Sequence, residues 1–362
     1  NVMKTFQEIM RNEKVTFRGN VCVGRDIQVS DLLDSYSAVV LAVGASSDNK
    51  LGVPGEEITG VVSARTFVNW YNGHPDFANY DFQLEDVNDV VIIGQGNVAL
   101  DCARILMKDP DVLDTTDISR KALNALRSSR VRSVSIIGRR SHVQIACKIK
   151  ETRELSRLPG VVTHVSKDEL KSGMTSASEE EIKNDRPRRR LTDLITGLNI
   201  SGETEEAKAM SLRFLLTPTR FEASATGRCK SVCFDRNILQ GPPFSQRAVG
   251  TGEKLRIPCQ LVLVAAGYKC ESLPGVELDP STNTLSHIQG RVTRGQSSDL
   301  EPHLYVTGWY KRGAQGIIGT NIPDAKQTAD SILTDYRDGN LESSKNAEVE
   351  NLFSSLNVVS WD

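Results

Sequence analysis

The residues with the clearest chemical potential are glycines and arginines rather than nucleophiles. Gly94-Gln95-Gly96-Asn97-Val98-Ala99 spells G-x-G-x-x-A between an apolar run, Asp89-Val90-Val91-Ile92-Ile93, and an amphipathic stretch over 98–108. In a strand–turn–helix setting the first glycine permits a tight turn and the second lets backbone approach a pyrophosphate. The alanine lets the helix pack close on the strand. The helix N-terminus then offers free N–H groups and the positive end of its dipole to the phosphates. The next apolar stretch, 131–137, ends in Gly138-Arg139-Arg140. An acidic residue at that strand end would bind the ribose hydroxyls of NAD; arginine favours the 2′-phosphate of NADP, which a planar guanidinium grips bidentately. The pair points to NADPH. A third junction, Thr307-Gly308-Trp309-Tyr310-Lys311-Arg312-Gly313-Ala314-Gln315-Gly316, sets three glycines and an aromatic face where backbone could lie along a flat ligand. The alternative from the residues alone is a core Trp beside a flexible loop.

Other reactive chemistry is sparse. The histidines His74, His142, His164, His287 and His303 fall on expected loops and element ends, with no Ser or Cys at triad spacing, so surface and capping roles are expected. The cysteines Cys22, Cys102, Cys147, Cys229, Cys233, Cys259 and Cys270 are odd in number and scattered, and no C-x-x-C occurs. That argues against a disulfide framework, a thioredoxin-type pair or a structural zinc site, and fits a reducing compartment.

The elements that must hold these residues follow from patterning. The 362 residues suit two domains, and 39% hydrophobic with 25% charged residues is ordinary globular composition. A net charge of -2 excludes a globally basic nucleic-acid binder. No apolar run nears the ~20 residues that cross a bilayer, so at most peripheral membrane association is expected. Residues 36–44 and 261–266 read as buried parallel strands, each ending near a glycine. Ser30 is expected to cap a short helix, and Ser63 to Tyr71 to form an aromatic one. The strand–helix–strand order over 89–137 makes a right-handed βαβ unit the default. Residues 175–190 are polar, acidic and then basic, while 201–209 and 222–228 read as surface loops. Stretches 212–216 and 231–234 look antiparallel, and a last helix is expected from near Asp324.

Taken in order, GQGNVALDCARIL, SRVRSVSIIGRR, KETRELSRLPG and TGWYKRGAQGIIGTN resemble the adrenodoxin reductase (ferredoxin–NADP reductase) family, and FVNWYNG (67–73) and RPRRRLTDL (186–194) extend the likeness over nearly the whole chain. The resemblance implies an α/β fold of two Rossmann-like three-layer dinucleotide-binding domains, with the NADP domain inserted in the FAD domain. The expected division is 1–48 and 271–362 for FAD, and 49–270 for NADPH. It implies hydride transfer from NADPH to FAD, then single electrons to an acidic two-iron ferredoxin, in a monomer of the mitochondrial matrix. No catalytic side chain and no metal are expected, since the flavin carries the chemistry.

Carried over by position, Gln95 to Val98 match the pyrophosphate turn that Gly94 opens, Arg139 and Arg140 the 2′-phosphate pair, and Glu151 an acidic residue near that ribose. Trp309, Gly316, Ile317 and Ile318 match the stretch along the isoalloxazine, and Val23 a contact to the adenine end of FAD. Arg153, Arg186 and Arg190 match basic residues that dock the ferredoxin. Ser141, His142 and Cys147 stand where the family has Gly-Pro and Phe, and Ala314 replaces a usual Pro. The likeness begins after the family's first G-x-G-x-x-G unit, so an upstream N-terminus is expected, with a C-terminus beyond Asp362. The residues alone also admit a flavin reductase with another acceptor, or a non-catalytic NADP-binding protein.

Overall fold

The computed structural model describes residues 2–198, 208–295, 297–316, 318–341 and 346–360. Its strands begin with β1 (Val39–Leu41), β2 (Ser47–Asp48), β3 (Val61–Ser63), β4 (Asp89–Ile93) and β5 (Ser133–Ile137). There follow β6 (Val161–Val165), β7 (Lys208–Arg213), β8 (Leu216–Ala223), β9 (Cys229–Gln240) and β10 (Arg247–Pro258). The last are β11 (Leu261–Val264), β12 (Tyr268–Lys269), β13 (His287–Ile288), β14 (Arg291–Thr293) and β15 (Leu300–Val306). Two compact units result, one of Asn1–Asn49 with Gly267–Asp362 and one of Lys50–Ala266. The second cut falls before β12 because Tyr268 and Lys269 pair with Asp48 and Ser47 of β2.

The 50–266 unit is built on a six-stranded sheet, β3-β11-β4-β5-β7-β6, parallel throughout. A parallel sheet covered on both faces needs apolar residues at every position. Val90 to Ile93 and Leu261 to Val264 are accordingly all buried. Successive side chains alternate between faces. Val90, Ile92, Val134, Ile136 and Leu263 pack with the helices Ala64–Tyr71, Asn97–Met107 and Arg120–Arg127. Val91, Ile93, Ile137, Val262 and Val264 face the antiparallel sheet β10-β9-β8 through Phe221, Val232 and Phe234. Helices, parallel sheet and antiparallel sheet form three layers.

In the other unit β1 runs parallel to β15, and β14 and β13 extend the sheet antiparallel. Its core gathers Val29, Leu41, Val276, Leu285, Val292, Val306 and Tyr310. Helix Ile318–Arg337 is fastened to this sheet by Thr328 Oγ1 donating to the Val306 carbonyl (2.9 Å) and by the bidentate pair of Arg291 with Asp335.

Several sequence expectations are corrected. Only Val39–Leu41 of the 36–44 run is strand, with Val40 exposed. The helix Val29–Ser35 is capped by Gln28, not Ser30, because Asp31 Oδ2 accepts the Gln28 N–H (2.8 Å). Lys208–Arg213 is a parallel strand of the main sheet rather than loop followed by antiparallel strand; Leu215 at φ +57° breaks the apolar run, and β8 starts afresh at Leu216. Of the expected 201–209 loop, 201–207 lie outside the described residues. Glu222 and Ala223 belong to β8, and β10 was not anticipated. The last long helix begins at Ile318 and contains Pro323.

Candidate dinucleotide sites

In the 50–266 unit the turn after β4 is set by glycine geometry. Gly94 lies at φ +124°, and a Cβ there would collide with the Ala265 carbonyl oxygen. Gly96 caps helix Asn97–Met107, and a Cβ on it would meet nothing within 4 Å. The space before the helix's free N–H groups is open, as a bound phosphate requires. Gln95 turns away from it, Nε2 donating to the Arg213 carbonyl (2.7 Å) and filling the position a Cβ on Gly138 would take. Asn97 Oδ1 accepts from Lys148 N (3.1 Å), tying the turn to the start of helix Ile149–Leu155, while half-buried Val98 packs on the core.

That tie brings Glu151 beside the turn. Its Oε2 is buried and, among the described residues, has no hydrogen-bond partner. An unsatisfied carboxylate oxygen costs at least 1–3 kcal/mol, roughly, which a ribose hydroxyl would recover. Neighbouring Asp101 is raised by burial and by Glu151 and Glu154, against the opposing charge of Arg104.

Arg139 and Arg140 project from the C-terminal end of β5 and are exposed. Among the described residues neither guanidinium forms a hydrogen bond or ion pair. Partial burial, then the like charges of Arg139 and Arg188, lower the Arg140 pKa against the opposing charge of Glu181 behind the pair. Open glycine turn, buried acceptor and unneutralised arginines together fit NADP(H).

The next residues depart from expectation. His142 is not a surface histidine: it is 0% exposed, packs edge-on to Phe214 (5.7 Å), and neither ring nitrogen has a partner among the described residues. Burial lowers its pKa from 6.5 to about 4. The native ring stays neutral while the unfolded ring protonates below pH 6.5, so its contribution is full above pH 6.5 and is lost as pH falls towards 4. The shift corresponds to roughly 3 kcal/mol. Urea unfolding of His142→Leu is expected to fall less between pH 7 and pH 4.5 than that of the unaltered chain; equal losses would refute the assignment. His164 lies within β6 and His287 within β13, while His74 caps a short turn by accepting the Asp76 N–H.

Arg153 lies on helix Ile149–Leu155, and Arg186 and Arg190 lie one turn apart on helix Arg186–Thr196. Arg186 and Arg190 border a groove of about 620 Å³ whose floor includes Val143, Ile145, Ile149 and Leu191. The charged stretch of the sequence thus rims an apolar depression.

In the other unit, Gly308 (φ +70°), Gly313 (φ +79°) and Gly316 (φ +87°) shape the segment after β15. A Cβ on Gly308 would meet nothing within 4 Å, whereas one on Gly316 would strike Thr320. Trp309, half-buried, stacks on Tyr268 with centroids 5.8 Å apart at 19°. Tyr310 is fully buried, its hydroxyl donating to the Glu271 carbonyl (3.0 Å). Val23 packs against the same core. Ile318 opens the long helix, and Ile317 lies outside the described residues. The open backbone at Gly308 beside an aromatic face fits a flat isoalloxazine.

Asp324 holds this segment. Its Oδ2 accepts from Gly308 N (2.6 Å) and Thr307 Oγ1 (3.1 Å), and its Oδ1 pairs with Lys311 Nζ (3.0 Å). Lys311 is 4% exposed and also donates to Gln327 Oε1 (2.8 Å). Burial would raise the Asp324 carboxyl, but Lys311, Gly308 and Thr307 outweigh it and hold it below its ordinary value.

No protein-family model matches the chain. It is 41% identical over 350 residues to the mitochondrial NADPH:adrenodoxin oxidoreductase of Arabidopsis thaliana, covering 94% of this chain and 72% of that one. With the Homo sapiens enzyme of the same name it shares 40% over 372 residues, covering 99% and 73%. Among solved structures, FprA of Mycobacterium tuberculosis in complex with NADPH superposes with a TM-score of 0.89 at 34% identity, over 99% of this chain and 78% of that one. The chain belongs to the NADPH:adrenodoxin oxidoreductase family. It is therefore an oxidoreductase, and its α/β architecture is that of the family's Rossmann-like domains.

For an NADPH:adrenodoxin oxidoreductase, the sequence left two structural supports unread. One is Asp324 under the 307–316 turn; an Asp sixteen residues beyond the glycine it binds has no local signature. The other is the buried polar cluster around Glu181, behind the arginine pair.

Proposed function

We propose that this chain takes hydride from NADPH onto a bound FAD and passes electrons singly to an acidic two-iron ferredoxin, acting as a monomer in the mitochondrial matrix. Unit 50–266 is assigned to NADPH, and the unit of 1–49 with 267–362 to FAD. The observation that carries the reading is the exposed, unneutralised Arg139–Arg140 pair at a strand end in the same unit as an open G-x-G turn. Bound flavin supplies the conversion between a two-electron donor and a one-electron acceptor, which no side chain can perform.

The chain's own residues bind and orient. The N–H groups after Gly96 receive the pyrophosphate, Arg139 and Arg140 take the 2′-phosphate, and Glu151 accepts from the ribose. Trp309 and the backbone of Gly316 and Ile318 lie along the flavin ring, and Val23 meets the adenine end of FAD. Arg153, Arg186 and Arg190 attract the acidic partner, since complementary fields raise the rate of encounter.

The test is a visible spectrum of the purified chain supplied with FAD, before and after anaerobic NADPH or NADH. A flavin band bleached by NADPH and far less by NADH is expected. Failure to retain flavin both in this chain and in a longer chain that restores the expected upstream G-x-G-x-x-G unit would overturn the flavin assignment, and equal bleaching by both donors would overturn the arginine assignment.

A further inference from the structure

Behind the arginine pair lies a buried carboxylate with all its hydrogen-bonding capacity engaged. Glu181, on helix Ser176–Asn184, is 0% exposed. Its Oε2 accepts from Arg188 Nη1 (2.7 Å) and Gln144 Nε2 (3.1 Å), and its Oε1 from Phe244 N (2.9 Å) and Gln246 Nε2 (2.9 Å). Gln144 in turn accepts from Ser141 Oγ (2.6 Å), and Arg188 Nη1 donates to the Val143 carbonyl (3.1 Å). The turn Ser141–Gln144, which follows directly from Arg140, is therefore fastened at two points to one carboxylate and its counter-ion, and braced internally by the Ser141–Gln144 bond.

The other flank of the pair is fixed as well. The carbonyls of Gly138, Arg139 and Arg140 accept from Leu216 N (3.1 Å), Asn237 Nδ2 (2.8 Å) and Leu215 N (3.1 Å). Two guanidinium groups without partners among the described residues thus spring from backbone held on both sides. Burying a carboxylate against a half-buried arginine is a poor way to gain stability, since well-packed apolar residues generally do as well or better. What such a pair can provide is a fixed geometry, and the geometry fixed here is that of the phosphate-binding arginines.

We propose that Glu181 is a positioning residue for 2′-phosphate recognition: through Gln144 and Arg188 it holds the 141–144 turn that aims Arg139 and Arg140. The inference rests on the NADP(H) reading of that pair. Coulomb effects alone predict the opposite outcome, because deleting a negative charge beside the arginines strengthens their attraction for a dianion.

The experiment is calorimetric titration of the full chain with 2′,5′-ADP and with 5′-AMP, which differ only in the 2′-phosphate and require no bound flavin. Glu181→Gln keeps an acceptor for Phe244 and Gln246 but turns an amide donor towards Gln144 and Arg188. Its affinity for 2′,5′-ADP is expected to fall roughly tenfold, with 5′-AMP changed by less than about twofold. Gln144→Ala, which leaves the Glu181–Arg188 pair intact, is expected to lower the same ratio by roughly threefold, and it decides the matter if Glu181→Gln fails to fold. A folded Glu181→Gln with the unaltered ratio or tighter 2′,5′-ADP binding overturns the inference, as does an unchanged ratio in Gln144→Ala. An unaltered chain that cannot tell the two nucleotides apart overturns the NADP(H) reading itself.

Discussion

Replacing Arg139 and Arg140 together by alanine is expected to lower kcat/KM for NADPH by about 100-fold while leaving that for NADH within about twofold. A hydrogen bond to a charged group is worth roughly 1.5–3 kcal/mol, and exposure to water places both contacts at the lower end, so the pair contributes about 3 kcal/mol, or about two powers of ten. The fold should not suffer. Both side chains are exposed and make no bonds among the described residues, and the contacts from Leu215 and Asn237 reach main-chain carbonyls that alanine retains. Raising ionic strength should narrow the NADPH advantage of the unaltered chain and leave the variant unmoved, because exposed charges are screened by salt. Steady-state kinetics with both donors check the prediction. A variant that keeps its preference for NADPH would remove the pair from the 2′-phosphate site.

The arginine pair was legible because its grammar is local. A buried strand, a G-x-G turn and a charged residue at the next strand end all fall between 89 and 140, and each constraint acts on neighbours in the chain. Glu181 was not legible for the opposite reason. Its partners at 144, 188, 244 and 246 are spread over a hundred residues, and in the sequence Glu179-Glu180-Glu181 reads as a solvated acidic run. Only the tertiary packing of helix Ser176–Asn184 selects one of three adjacent carboxylates for burial. The strand β7 differs from expectation because Leu212 to Leu216 reads as one continuous stretch; the left-handed Leu215 that divides it leaves no trace in composition. Helix Ile318–Arg337 was placed too late because Pro323 resembles the start of a helix, where proline is favoured.

Asp324→Ala is expected to destabilise its unit by about 3–5 kcal/mol, since it leaves the buried Lys311 ammonium without its counter-charge. The ion pair is not itself a large source of stability; the damage comes from removing one member. The double change Lys311→Met/Asp324→Ala should therefore recover much of the loss, because the buried ammonium is gone and only the partly exposed Arg312, 3.9 Å from Asp324, still loses a counter-charge. Denaturant unfolding of the two variants checks the sign of that coupling, and a double variant no more stable than Asp324→Ala would show that Lys311 is not the cause. Amide exchange then separates the fold from the site. The Gly308 N–H donates to Asp324 Oδ2, so both variants should lose protection at Gly308 even where global stability returns. In the double variant the turn bearing Trp309 would then stand on a stable core without its anchor. Weaker FAD retention by that protein, at near-normal stability, would mean that Asp324 serves the cofactor turn through its bond to Gly308 and not merely through its charge.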